Sequence, residues 1–317
     1  MRRKITITLA AILLSPLLLS CKGAAVGQAS PEAGSFTHDG VTLHYKAFGR
    51  GRPLLLLSGG PGFTAEPLIP TAEELAKSHR CVLFDQRGTG DSNIHAFDNN
   101  TINLRASVED LEALRTHLGF SRWTVLGVSW GGMLAMAYAA AHPDSVSGLI
   151  LVDSGGVNLD FLKGFDANIS KRLLPSELKT IAYWSAPSRL TADPRRAGYE
   201  ILRAKIPGYF FDRRKAQALI NGVTPESFDI RVNELMLRDL SRQGYDLREA
   251  LRSFGRPVLI VQGRQDPLGE ATALQIQNTF PHSTLQFIEE CGHIPMIEQP
   301  DAFFGTVEQF LRSHPDL

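Results

Sequence analysis

Cysteine is scarce, with 3 residues in a chain of 317. So few cannot form a disulfide framework, and no CxxC or His-rich spacing accompanies them, so no zinc motif is present. Two of them, Cys81 and Cys291, fall in the body of the chain; Cys81 opens an apolar stretch and reads as a buried thiol, with a Cys81–Cys291 bridge the alternative. An excess of charge is also missing. Lys plus Arg number 33 and Asp plus Glu number 33, for a formal net charge of zero. Without a basic surplus or stripe, no nucleic-acid partner is expected, and the ligand should be small. Long apolar runs are lacking except at residues 5–19, a stretch too short to span a bilayer well. At 43% hydrophobic and 21% charged residues, what remains suits an ordinary folded core.

The exception at the N-terminus has its own logic. Arg2, Arg3 and Lys4 precede the apolar run, the layout of an export signal over residues 1–20. The run ends in Leu18-Leu19-Ser20-Cys21, which resembles the bacterial lipobox. Cleavage before Cys21 and lipidation of its thiol would tether the chain to a membrane of the cell envelope without a spanning helix. Lys22, where an Asp often retains such proteins at the inner membrane, points to the outer membrane if one exists. Residues 21–34 are small and polar, and read as a flexible linker.

Beyond the linker, residues 36–48 alternate around Asp39-Gly40 as a β-hairpin does. Apolar runs at 53–57, 81–84, 123–126 and 148–152 then alternate with helical stretches at 69–77, 102–118 and 131–141. Such alternation predicts a mostly parallel sheet with helices on both faces, an α/β fold. It stops over 154–251, where helical periodicity continues without strands. It resumes with a strand at 257–261, a helix at 271–278, a strand at 284–288 and a helix at 300–313. The expected domains are therefore a core built from 35–153 and 252–317, and a helical cap over 154–251.

Gly127-Val128-Ser129-Trp130-Gly131 fits G-x-S-x-G between a strand and a small-residue helix. A sharp turn there projects the Ser129 hydroxyl, and glycines are needed where side chains would strike the neighbouring strand or helix. The helix N-terminus aims free N–H groups at developing negative charge. A serine hydroxyl needs a base, and the base needs an orienting acid. Asp266 follows the strand at 257–261, the end at which parallel sheets present functional side chains. His293 follows the last strand, whereas the other histidines fall in the hairpin, at helix ends or in polar loops. Ser129 as nucleophile, His293 as base and Asp266 as orienting acid is the expectation. Trp130 N–H and Gly60 N–H, in the loop Ser58-Gly59-Gly60-Pro61-Gly62, are expected to hold an oxyanion, with Gly59 letting substrate approach the backbone.

Together these motifs resemble the α/β-hydrolase superfamily, and within it the proline iminopeptidase group. That group carries HGGPG, DQRGxGxS and GGSWGG-like segments; here they read Ser58-Gly59-Gly60-Pro61-Gly62, Asp85-Gln86-Arg87-Gly88-Thr89-Gly90-Asp91-Ser92 and Gly127-Val128-Ser129-Trp130-Gly131-Gly132. The resemblance implies a serine hydrolase working through an acyl-enzyme without metal or organic cofactor. It implies an aminopeptidase acting on short peptides first, with carboxylester, lactone or amide hydrolysis as the alternative. A lipid-anchored binding protein without catalysis is the rival from another class. Ser58 departs from the group's histidine. The group also binds a substrate's free amine through acidic residues of the cap. Asp212, Glu226, Asp229, Glu234 and Asp239 lie in that stretch, each more readily read as a solvated helix charge than as an amine ligand.

Overall fold

The structure is a computed structural model that describes residues 31–317. The expected export signal, Cys21 and most of the expected linker lie outside these residues. Among the described residues eight strands form one sheet: β1 (Glu32–His38), β2 (Val41–Phe48), β3 (Pro53–Leu57), β4 (Arg80–Phe84), β5 (Trp123–Val128), β6 (Val146–Val152), β7 (Val258–Gly263) and β8 (Ser283–Ile288). Their spatial order is β1-β2-β4-β3-β5-β6-β7-β8. The hairpin pairs antiparallel, β2 lies antiparallel to β4, and every remaining pair is parallel. One expected boundary moves. Residues 32–34 belong to β1 rather than to the linker, with Gly34 opposite Tyr45; a Cβ on Gly34 would stand 2.4 Å from the Tyr45 hydroxyl.

The four leucines of β3 show why its sequence is apolar throughout. Leu55 and Leu57 face a cluster with Trp123, Val125 and Leu134, while Leu54 and Leu56 face another with Leu126, Val261 and Phe303. All four are 0% exposed. A strand covered on both faces by helices has no side left for polar residues, and each such leucine contributes roughly 1.5–3 kcal/mol of burial. The covering helices are α1 (Ile69–Leu75), α2 (Leu104–His117), α3 (Trp130–Ala141), and, after the insertion, α11 (Glu270–Thr279), α12 (Pro295–Glu298) and α13 (Pro300–Ser313). α2 begins where Asn103 Oδ1 accepts the Ala106 N–H at 2.8 Å, one of the orphan donors a helix start leaves.

Between β6 and β7 the chain runs through seven helices: α4 (Leu162–Ser170), α5 (Pro175–Trp184), α6 (Pro187–Ala192), α7 (Pro194–Tyr209), α8 (Ala216–Gly222), α9 (Ile230–Gln243) and α10 (Arg248–Leu251). They hold a small core of Leu202, Ile206, Phe210, Ala216 and Val223. Phe63 of the loop after β3, and Ile294 and Ile297 of the segment after β8, pack against that core. The insertion thus rests on two loops at the C-terminal ends of parallel strands. No helix among the described residues is long and apolar enough to cross a membrane.

Cys81 and Cys291 are buried free thiols, so the bridge considered as an alternative is not formed. Burial pushes the Cys81 thiol up to about 12, which leaves it protonated and inert at neutral pH.

The loop after β4 is pinned by a buried ion pair. Arg87 Nε and Nη2 each reach a carboxylate oxygen of Asp110 on α2 at 2.6 Å, and Arg87 Nη1 donates to the Thr101 carbonyl at 2.9 Å. The two side chains are 2% and 0% exposed. Losing one member strands the other's charge in the core. Arg87→Ala is expected to lower unfolding free energy by about 3–5 kcal/mol, read from urea denaturation. Arg214→Ala, whose guanidinium lies in solvent, should leave the unfolding free energy nearly unchanged. Equal small losses from both variants would contradict the pinning role of Arg87.

Candidate active site

Ser129 stands between β5 and α3 with φ 55° and ψ −116°, a region that side-chain-bearing residues rarely occupy and that costs roughly 1–3 kcal/mol. Crowding around it explains the flanking glycines. A Cβ on Gly127 would lie 2.2 Å from the Gly131 carbonyl oxygen, and one on Gly131 would lie 2.3 Å from that of Leu57. One on Gly132 would lie 2.2 Å from Ser154 Oγ. No side chain fits at these positions, so the strand can turn directly into the helix. The Ser129 backbone is held by its N–H to the Val152 carbonyl at 2.9 Å, and its own carbonyl accepts the Gly155 N–H at 3.1 Å. Its side chain remains partly exposed.

Asp266 and His293 meet. Nδ1 of His293 lies 3.0 Å from Asp266 Oδ1, with the residues 5% and 4% exposed respectively. Asp266 Oδ1 also accepts the Leu268 N–H at 2.9 Å, and Oδ2 accepts Gln262 Nε2 at 2.7 Å. Burial raises the Asp266 carboxyl, but the adjoining His293, the neighbouring Asp153 and the Leu268 N–H together outweigh it and hold the group below the usual carboxylate range. Ionised Asp266 fixes the proton on Nδ1 and leaves Nε2 as an acceptor. Among the described residues no hydrogen bond joins Ser129 Oγ to His293; free sites often tighten only when substrate arrives.

The histidine loop is set from three sides. His293 N–H donates to the Tyr209 carbonyl at 2.8 Å, and its ring lies 5.2 Å from that of Tyr209 at an interplanar angle of 30°. Glu298, 1% exposed, accepts the Gly292 N–H at 2.7 Å through Oε1 and the Phe211 and Asp212 N–H groups at 2.8 and 3.2 Å through Oε2. One carboxylate thereby ties the end of α7 to the loop that carries the imidazole.

The glycine loop after β3 lies against the serine. A Cβ on Gly59 would come within 3.4 Å of Ser129 Cβ. Gly60 has φ 119° and precedes Pro61 through a cis peptide bond. Among the described residues neither the Gly60 nor the Trp130 N–H has a hydrogen-bond partner. The insertion clasps this loop: Thr64 N–H donates to the Ser227 carbonyl at 3.0 Å, Asp229 N–H to the Gly62 carbonyl at 2.9 Å, and Asn233 Nδ2 to the Pro61 carbonyl at 3.0 Å.

Gln86 was not among the expected site residues, yet it joins both halves. It accepts the Trp130 indole N–H at 2.9 Å and donates to the Ser58 carbonyl at 3.3 Å. Ser58 Oγ in turn donates to the Phe63 carbonyl at 3.2 Å, so the residue that replaces the group's histidine still braces the loop. Its signal was present in Asp85-Gln86-Arg87-Gly88, a motif noted for resemblance but without an assigned task. Asp153 and Glu298 were also missed; a carboxyl directly after the apolar run Leu149–Val152 is the clue for the first.

Three of the acids considered for amine binding are occupied. Asp212 pairs with Arg214, and Asp229 pairs with Arg231 while capping α9. Asp239 accepts from Leu104 N–H, Arg242 and Gln243. Glu226 and Glu234 are exposed.

The model of the α/β-hydrolase-fold family matches residues 52–300. A probable proline iminopeptidase of Streptomyces coelicolor is 28% identical over 304 residues, spanning 86% of this chain and 93% of the relative. A proline iminopeptidase of Xanthomonas citri is 48% identical over 106 residues, 32% of this chain and 33% of its own. Among solved structures, VinJ superimposes with a TM-score of 0.71 at 21% identity, covering 89% of this chain and 98% of that one. Est816, described as an N-acyl homoserine lactone degrading enzyme, does so with a TM-score of 0.66 at 20% identity, covering 87% and 100%. These structural likenesses concern the fold alone. The strand order, the turn at Ser129 and the family match agree: the chain belongs to the α/β-hydrolase fold family and resembles the proline iminopeptidases within it.

Proposed function

We propose that this hydrolase works through an acyl-enzyme on Ser129, with His293 as general base and acid and Asp266 as its orienting acid. The observation that carries the reading is the buried 3.0 Å contact between Asp266 and His293, in a protein whose Ser129 is held at a strained strand-to-helix turn. Ser129 Oγ attacks a carbonyl carbon while its proton passes to His293 Nε2. The negative oxygen is met by the unpartnered N–H groups of Gly60 and Trp130, with Gly59 leaving room for the acyl group. His293 then protonates the leaving group, and water releases the acyl chain by the same steps. No metal or organic cofactor enters this scheme.

The substrate we favour is a short peptide that loses its N-terminal residue, in the manner of proline iminopeptidases. Support comes from similarity to such relatives over 86% of this chain and from an insertion that clasps the Gly60 loop, where it can act as a cap over the site. A second reading, carboxylester or lactone hydrolysis, is favoured by the arginine and backbone partners already held by Asp212, Asp229 and Asp239. An ammonium out of water needs a free carboxylate; Glu226 and Glu234, adjoining the Ser227 and Asn233 that hold the Gly60 loop, are the remaining candidates. We further propose that Cys21 carries a lipid and that the enzyme is exported to the cell envelope.

Three measurements test these readings. A fluorophosphonate probe should label the wild type and leave Ser129→Ala unlabelled; equal labelling of both would remove Ser129 as nucleophile. Asp266→Asn should reduce kcat by roughly 10⁴-fold by presenting the wrong tautomer of His293, whereas a loss below tenfold would assign the orienting role elsewhere. Proline naphthylamide and nitrophenyl acetate, assayed side by side, should both turn over; cleavage of the ester alone would overturn the peptidase reading in favour of the second.

A further inference from the structure

A second carboxyl lies behind the Asp266–His293 pair, and the proposed chemistry does not use it. Asp153 follows β6 and is 0% exposed. Its backbone is left-handed, with φ 41°, and its N–H donates to the Val261 carbonyl at 2.8 Å. Oδ1 accepts the Gly263 N–H at 2.7 Å. Oδ2 is buried and accepts from no donor. One atom each of Asp153, Asp266 and His293 lie within 4.8 Å of one another. Glu298 adds negative potential from α12 and Cys291 lies in the same field; of the insertion's cations, Arg172 faces Asp266 and Glu298, and Lys215 faces Cys291 and Glu298.

Two carboxyls this close and shut away from water do not both ionise at neutral pH, because burial and like charge both favour keeping one proton. The partners decide which keeps it. Asp266 is met by His293 Nδ1, Leu268 N–H and Gln262 Nε2, all of which favour the anion. Asp153 has one donor and a vacant oxygen.

We propose that Asp153 is a neutral carboxylic acid whose Oδ2–H is donated to Asp266, so that a single negative charge backs His293. Burial, then the Asp266 charge and the hydrogen bond between the two, push the Asp153 carboxyl well above the ordinary range. Asp153 is a positioning residue: it touches no substrate, and it acts by limiting the charge that the imidazole feels. This role rests on the proposed triad; the protonation state of Asp153 does not.

Asp153→Asn separates the possibilities. Asparagine has the shape of the neutral acid, tolerates a left-handed backbone, and can donate to Asp266 while accepting from Gly263. The acid limb of the kcat/KM profile should then move by less than about 0.3 pH unit, with kcat within about threefold of wild type. A fall of that limb by about one unit or more would mean that a second negative charge had been removed, contradicting the proposal. Infrared difference spectra in a Ser129→Ala background need no turnover and test the proton directly. A protonated-carboxyl C=O band should be present at neutral pH and absent once Asp153→Asn is added. Adding Asp266→Asn instead should abolish the band, because Asp153 then ionises beside His293. Absence of the band from the Ser129→Ala protein, or its persistence with Asp153→Asn, would overturn the proposal whether or not Ser129 proves to be the nucleophile.

Discussion

Asp266 can reach His293 only because two backbones come closer than side chains permit. A Cβ on Gly263 would lie 1.9 Å from the Gly292 carbonyl oxygen, and one on Gly292 would lie 2.1 Å from that of Tyr209. The end of β7, the histidine loop and the end of α7 thus share one junction with no room for a side chain. The same device operates around Ser129, where Gly127 and Gly131 let β5, α3 and β3 crowd together. Gln86 bridges the serine turn to the glycine loop, and the buried Arg87–Asp110 pair anchors the segment that holds Gln86. The arrangement of groups around Ser129 is set by this scaffold more than by contacts among those groups.

Electrostatics at the junction follow from the same crowding. Asp153, Asp266 and Glu298 are all buried there, and they are satisfied mainly by backbone N–H groups of Gly263, Leu268, Gly292, Phe211 and Asp212. Backbone donors fixed by folding need no reorganisation when charge moves, which is what acyl transfer requires of its surroundings. Because Glu298 draws its donors from both the insertion and the histidine loop, one carboxylate fixes the two against each other.

Much of this was legible in the sequence. The uninterrupted leucines of β3 announced a strand covered on both faces, and the alternation of strands and helices announced a parallel sheet. Ser129, Asp266 and His293 were each picked out by their place after a strand. Helix and strand ends shifted by a few residues, as at β1, where the pairing of Glu32–His38 with β2 reached into small residues that alone read as linker. Asp153 and Glu298 escaped because their local signals are weak: a lone Asp after a strand and a Glu in a short helix gain meaning only when folding sets them beside Gly263 and Gly292. The acids of the insertion illustrate the converse. The resemblance to proline iminopeptidases put forward acids of the insertion for amine binding, and the fold gives Asp212, Asp229 and Asp239 partners of their own.

The proposed chemistry requires a serine, an imidazole and two backbone N–H groups to act on one substrate carbonyl. A crystal structure of the protein after reaction with a phosphonate inhibitor addresses this directly. It should show phosphorus bonded to Ser129 Oγ, the phosphoryl oxygen about 2.7–3.1 Å from both the Gly60 and Trp130 nitrogens, and His293 Nε2 within hydrogen-bond reach of the serine oxygen. An adduct elsewhere, or one whose phosphoryl oxygen turns away from both nitrogens while the imidazole stays out of reach, would contradict it.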